Sequence, residues 1–128
     1  MFVKLAECGV NRHTGLQLAT DELWVFSTTR KEWTLAANAG ERPSVRYGHA
    51  MTAVGSDLYV YGGRETDDTQ WVFSTTRMEW NLETVADGGT NPNVRDYHAM
   101  TVVGFEIYVF GGRTSGGVCV LTSCIKSA

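Results

Sequence analysis

The sequence predicts an all-β protein assembled from four-stranded antiparallel units that stack face to face. Three observations carry that expectation. The segment WVFSTTRKEWTL (24–35) recurs as WVFSTTRMEWNL (71–82), 47 positions on, and RYGHAMTAVGSDLYVYGGR (46–64) recurs as RDYHAMTVVGFEIYVFGGR (95–113), 49 positions on, with 12 of 19 residues identical. Within a unit, β-branched and aromatic runs of four to six residues alternate with turn residues, and no stretch offers a useful helical stripe. Finally, LYVYG and IYVFG are apolar on both faces, as a sheet packed on both sides requires.

Taken in order through the best-preserved unit, HAMTAV supplies a first strand at 49–54 and DLYVYG a second at 57–61, separated by Gly55-Ser56. QWVFST supplies a third at 70–74 after a Gly-Gly doublet and a polar loop. EWNLET supplies a fourth at 79–83 after Thr-Thr-Arg. The two-residue difference between the offsets falls in NAGERPSV and ADGGTNPNV, which read as loops because each holds glycine and proline. Gly62-Gly63 and Gly111-Gly112 close the second strands, where positive φ or the approach of a neighbouring backbone excludes a Cβ. Trp33 and Trp80 open the outermost strands, where a large ring fills a widening gap and its indole N–H needs an acceptor.

Spaced at these positions, Pro43, Arg46, His49, the run Leu58–Tyr61 into Gly62-Gly63, Trp71-Val72-Phe73 and Trp80 resemble the kelch repeat, the four-stranded blade of kelch β-propellers. Pro92, Arg95, His98, Ile107–Phe110 and Gly111-Gly112 repeat the pattern, and Trp24-Val25-Phe26 with Trp33 form an earlier partial copy. The resemblance implies kelch-type blades in an incomplete β-propeller. Residues 1–20 are the degenerate part of a blade, 21–45 a partial repeat, 46–94 a complete repeat, and 95–128 a partial repeat with a possible third strand. Cys8-Gly9 stands as a degenerate glycine doublet and CVLTS (119–123) as a decayed copy of WVFST. Ser27 and Ser74 replace the Asp that commonly follows the third-strand aromatic, so the turn is capped by a weaker hydroxyl. In WD40 blades, the nearest alternative, Trp precedes an acidic residue; here it follows Glu32 and Glu79.

Propellers close with typically 4 to 8 blades, whereas 128 residues divided by the 49-residue period give about 2.6. A piece of a longer propeller is the first expectation. The others are a short open stack, and self-association through exposed blade faces in which the third and fourth strands at the N-terminal end pair with the first and second of another copy, three chains making six blades.

Composition narrows the function. The chain has 11 Lys+Arg against 14 Asp+Glu and no basic run, which argues against nucleic acid. No apolar run reaches the length of a membrane span, and Lys4 and Glu7 interrupt what would be a signal peptide. Three cysteines, Cys8, Cys119 and Cys124, form no zinc set and fit reduced thiols, so the expected setting is cytoplasmic and no cofactor or metal is expected.

Eight of the eleven basic residues are Arg. Strand order puts Arg46, Arg64, Arg95 and Arg113 on one face of the stack, beside Tyr47 and Tyr97, and Arg30 and Arg77 on the other. Such a cluster suits a protein partner or acidic peptide, since guanidinium captures carboxylates bidentately and stacks on aromatic rings. In kelch proteins the loops before the first strand and after the second commonly form the partner-binding face. Arg46 and Arg95 also belong to the repeat's own P-x-x-R-x-x-H pattern, which favours ties between blades through carbonyls or through Asp57, Asp96 or Glu106. Glu65, Asp67 and Asp68 read as a solvated loop that partly neutralises Arg64. His49 and His98 are period-equivalent and read as buried structural residues, and His13 has no identifiable partner. The enzyme alternative is the propeller of a galactose-oxidase-like copper oxidase, which needs a Tyr–Cys cross-link and two His ligands; no such grouping is evident. Sialidase boxes, G-x-S-x-G and a P-loop are absent. The expected function is a non-enzymatic interaction module, with a structural fragment lacking a ligand as the further alternative.

Overall fold

The computed structural model describes residues 2–5, 9–10, 17–18, 21–36, 41–64, 70–86, 88–114, 117–118 and 123–126. Its elements are β1 (Phe2–Leu5), β2 (Gly9–Val10), β3 (Gln17–Leu18), β4 (Leu23–Ser27), β5 (Glu32–Leu35), β6 (Ala50–Val54), β7 (Asp57–Tyr61), β8 (Gln70–Ser74), β9 (Glu79–Glu83), β10 (Ala99–Val103), β11 (Glu106–Phe110), β12 (Arg113–Thr114), β13 (Gly117–Val118) and β14 (Ser123–Lys126). They form three blade-like sheets, β1-β4-β5, β6-β7-β8-β9 and β10-β11-β14, with small hairpins β2-β3 and β12-β13. The middle sheet is the antiparallel meander the sequence predicts, its strands matching to within one residue.

The pairing registers correct two assignments at the ends. Ile107 pairs with Ile125 as Leu58 pairs with Phe73, so the third strand of the C-terminal sheet is Ser123–Lys126 rather than CVLTS; residues 119–122 lie outside the described residues. Phe2 pairs with Phe26 and Leu5 with Leu23, so Leu5 holds the place of Tyr61. The doublet's place in sequence then falls on Ala6-Glu7, two residues before the Cys8-Gly9 pair; Ala6, Glu7 and Cys8 lie outside the described residues. These strands also occupy the edges that the three-chain strand-pairing scheme needs free. β4 is flanked by β1 and β5, and β11 by β10 and β14.

Side chains alternate across β7, and so does the core. Leu58 and Val60 meet Leu23, Ala36 and Val25 of the N-terminal sheet, together with Phe73, Trp80, Met51 and Trp71 of their own. Tyr59 and Tyr61 point the other way, into a second core with Ile107, Val109 and Met100 of the C-terminal sheet and Val54. Two apolar interfaces therefore lie between three sheets. This is how a strand apolar on both faces is satisfied.

The β4–β5 and β8–β9 turns are built alike. Lys31 and Met78 are left-handed, with φ of 59° and 57°, and their amides bond the Ser27 and Ser74 carbonyls at 2.7 and 2.8 Å. Ser27 and Ser74 accept the Arg30 and Arg77 amides through Oγ, the hydroxyl cap expected in place of Asp. Arg30 pairs with Glu32, and Arg77 with Glu79. Phe26 and Trp33, like Phe73 and Trp80, lie 5.1 Å apart. The indole N–H of buried Trp80 finds no acceptor among the described residues, contrary to expectation, and the ring packs against Phe73.

Candidate partner-binding face

The loops before β6 and β10 are fastened to the loops after β7 and β11 by short antiparallel bridges, Tyr47 to Arg64 and Asp96 to Arg113. The two glycines of the middle doublet do different work. A Cβ on Gly62 would lie 2.4 Å from the carbonyl oxygen of Arg95 and 2.7 Å from the His98 ring, both in the next unit, whereas one on Gly63 would crowd Tyr47 and Arg46 of its own unit. Both have positive φ, 69° and 102°. The Gly63 amide donates to the Arg95 carbonyl at 2.8 Å, the Tyr97 amide to the Gly48 carbonyl at 2.6 Å, and the Tyr61 hydroxyl to the Pro92 carbonyl. The doublet thus lets two backbones meet where the sheets join.

This junction separates the four arginines that the sequence grouped together. Arg46 and Arg95 are 1% and 5% exposed, so their guanidinium groups do not line a surface. Arg46 donates to the carbonyls of Gly62 and Ser44, and Arg95 to those of Gly111 and Asn93. Sixteen residues separate each arginine from its glycine carbonyl, so the tie closes a unit on itself instead of joining it to the next. A buried guanidinium needs several acceptors, and main-chain carbonyls supply two to each of these arginines.

Arg64 and Arg113 remain half-exposed and converge on Asp96. Arg113 grips both carboxylate oxygens, Nε to Oδ1 at 3.1 Å and Nη2 to Oδ2 at 3.2 Å. Arg64 Nε lies 3.7 Å from Oδ2, and its Nη1 donates to the Tyr47 hydroxyl at 3.2 Å. That hydroxyl bond also holds the Arg64 guanidinium above its already high pKa, so it stays charged. Each guanidinium lies over a tyrosine ring, Arg64 6.0 Å from the centroid of Tyr47 and Arg113 4.7 Å from that of Tyr97. Arg64 comes from the middle unit and Asp96 from the next, so the ion pair crosses between sheets. Arg30 and Arg77 sit in the turns at the opposite edge, as strand order requires. Glu65, Asp67 and Asp68 lie outside the described residues.

Asp96 is the member that sequence reasoning ranked too low, naming it only as a neighbour for a buried arginine. The usable signal was a break in the repeat: Asp96 stands where Tyr47 stands, and Tyr97 stands where Gly48 stands. Gly48 and Tyr97 share the left-handed conformation, φ 69° and 54°, so a bulky residue occupies a glycine position and holds its ring outward. A strained, exposed aromatic beside two cations is a local feature of this junction and not a demand of the repeat.

His98 is buried, edge-on to Tyr61 with ring centroids 5.8 Å apart, and neither ring nitrogen has a hydrogen-bond partner among the described residues. Burial, then the nearby Arg95 and His49, lower its pKa to about 4. His49 is half-buried at the corresponding position. Among the described residues no three His, Cys, Asp or Glu side chains gather to hold a metal ion; His13, Cys8 and Cys119 lie outside them.

Stacked antiparallel sheets joined at glycine doublets, with arginines anchored on those doublets, define a protein built of propeller blades. The chain matches the KLHDC2/KLHL20/DRC7 Kelch-repeats domain over residues 8–125, and it belongs to the kelch-repeat family. It is 44% identical over 50 residues to the Rab9 effector protein with kelch motifs of Danio rerio, covering 38% of this chain and 14% of that protein. It is 34% identical over 59 residues to Tip elongation aberrant protein 1 of Schizosaccharomyces pombe, covering 46% and 5%, and 35% identical over 57 residues to Kelch repeat-containing protein 2 of Saccharomyces cerevisiae, covering 41% and 6%. The matched part is thus a small share of each of these relatives. Kelch-repeat domains are in general protein-interaction modules.

Proposed function

We propose that this chain is a non-enzymatic kelch-type interaction module that takes an acidic peptide on the face formed by Arg64, Arg113, Tyr47 and Tyr97, in a cytoplasmic setting. The observation that carries the reading is the convergence of two half-exposed guanidinium groups, from two different sheets, on the single carboxylate of Asp96. A pair of arginines that already holds one carboxylate from beneath keeps outward N–H donors for another, and the two flanking rings restrict how the guanidinium planes turn. Among the described residues two cations here stand against the one anion of Asp96, on a chain whose net charge is −3, which favours an anionic segment at this place. The family supports a protein partner, and one relative carries a protein partner in its name, the Rab9 effector.

The test is binding of a fluorescent glutamate-rich peptide to the wild-type chain and to Arg64→Ala and Arg113→Ala. Each substitution should weaken binding roughly tenfold, the scale of a lost charge-assisted hydrogen bond, while the melting temperature moves by no more than a few degrees, because each variant leaves the other arginine beside the buried Asp96 carboxylate. Unchanged affinity in both variants overturns the reading. Loss of folding in either assigns that arginine to the junction alone.

A further inference from the structure

Tyr97 is strained where it stands. Its backbone is left-handed, φ 54°, and its counterpart in the middle unit is Gly48, φ 69°, the residue that this conformation favours. Lys31 and Met78 are also left-handed, but they are counterparts of each other in two copies of one turn, so their conformation belongs to the repeat. Burial does not compensate Tyr97, which is 56% exposed. A shift of one residue brings it there. In the middle unit Tyr47 bridges to Arg64; in the next unit Asp96 takes the bridging place opposite Arg113, and the tyrosine moves on to the glycine position. Both units accommodate the ring. A Cβ on Gly48 would lie 3.1 Å from Asp96 Cβ and 3.3 Å from Tyr97 Cδ2, so glycine in one unit leaves room for tyrosine in the other. Arg113 lies over that ring at 4.7 Å and gives its Nε and Nη2 edge to Asp96. The edge formed by Nη1 and Nη2, the second fork of the guanidinium, has no partner among the described residues.

We infer, resting on the acidic-peptide reading, that Tyr97 is the specificity-determining residue of this face and selects an acidic segment with an aromatic side chain next to its carboxylate. A carboxylate alone needs only the two arginines. Asp96 already orients Arg113 through both of its oxygens, so the ring is not required to aim the guanidinium. An exposed ring kept in a left-handed backbone, at a place the other copy gives to glycine, is accounted for by contact with a group outside the fold. A carboxylate docked on the open fork of Arg113 lies in the guanidinium plane, so the side chain beside it in the same segment comes within reach of the ring on which that guanidinium is stacked. There it meets a rigid aromatic surface, which loses little conformational freedom on binding and favours another ring in offset or edge-on contact.

Two fluorescent peptides of equal charge test this, a glutamate-rich one with a single central phenylalanine and the same peptide with alanine in its place. Both are titrated against the wild-type chain and against Tyr97→Gly, Tyr97→Asn and Tyr97→Phe. Wild type should bind the phenylalanine peptide roughly tenfold more tightly, the scale of an aromatic anchor. Tyr97→Gly and Tyr97→Asn, both tolerant of the left-handed backbone, should lose that preference while binding the alanine peptide within about twofold of wild type. Tyr97→Phe should keep it. Tyr97→Gly should also melt at or slightly above the wild-type temperature, since the strain is relieved and little buried surface is lost. A ring with a merely structural role predicts the opposite, a lower melting temperature and equal weakening of both peptides, and that result overturns the inference. The wild-type comparison requires no variant to fold: equal affinity for the two peptides overturns the inference and leaves the acidic-peptide reading standing, whereas binding of neither overturns both.

Discussion

Residues 24–35 and 71–82 differ at two positions in twelve and fold into the same hairpin, with the same left-handed turn residue, the same serine cap, the same Arg–Glu pair and the same aromatic contact. Their environments differ completely. The middle copy lies between two sheets and its Trp80 is buried, whereas the N-terminal copy has, among the described residues, a neighbouring sheet on one side and its Trp33 stands half in solvent. Local conformation therefore follows from the twelve residues, and burial follows from what lies against them. Neither difference, Lys31 for Met78 or Thr34 for Asn81, contributes to this, since both fall at exposed places.

The comparison can be broken most directly by removing the two tryptophans in turn. Trp80→Ala should cost about 3–5 kcal/mol and Trp33→Ala about 1 kcal/mol or less, read by denaturant unfolding in dilute solution. Equal costs would mean that the hairpins are not in different environments. A second contrast sets the junction glycine against a turn glycine. Gly62→Ala drives a methyl group into the Arg95 carbonyl, while Gly55, also at positive φ, has nothing within 4 Å of an added Cβ. Gly55→Ala should cost only the left-handed penalty of about 1–2 kcal/mol, and Gly62→Ala should exceed it by at least ~1 kcal/mol and loosen the C-terminal sheet first, visible as early amide exchange in β10 and β11.

A smaller effect comes from pH. The His98 pKa falls from 6.5 in the unfolded chain to about 4 in the folded one, so the unfolded state holds the proton more tightly. The stabilisation is complete above pH 6.5 and is lost as the pH drops toward 4, amounting to about 3 kcal/mol. Thermal melts of wild type and His98→Leu across this range check it: the variant should lose most of the slope, and His49→Leu should lose less. The smallest change sharpens the likeness of the hairpins. Met78→Gly and Lys31→Gly each relieve a non-glycine left-handed residue and should stabilise by about 0.5–1 kcal/mol, to the same extent in both copies.

Much of this architecture is legible in the residues because it is local or periodic. Strand positions, the glycine doublets, the serine-capped turns and the segregation of Arg64 and Arg113 from Arg30 and Arg77 all follow from alternation, turn chemistry and up-and-down order. The candidate site is only half legible. Arg64 and Arg113 are where strand order puts them, but Arg46 and Arg95 have the same side chain and the same edge, and only the fold buries them against glycine carbonyls. Asp96 gains its role from Arg64, a residue 32 positions away in another sheet, a proximity that no spacing rule announces. The end strands were hidden for a related reason: FVKL and SCIK lack the repeat's signature and are recognised by the strands they pair with.

By itself, then, the amino-acid order determined that this chain makes short strands in four-strand periods, with glycines at the strand ends and aromatic rings paired across the hairpins, because backbone sterics and side-chain alternation act over a few residues. The tertiary structure decided which of the repeated side chains are covered, which arginines face outward and which carboxylate joins them. Those outcomes depend on how whole sheets lean on one another, and identical residues meet different neighbours at each level of the stack.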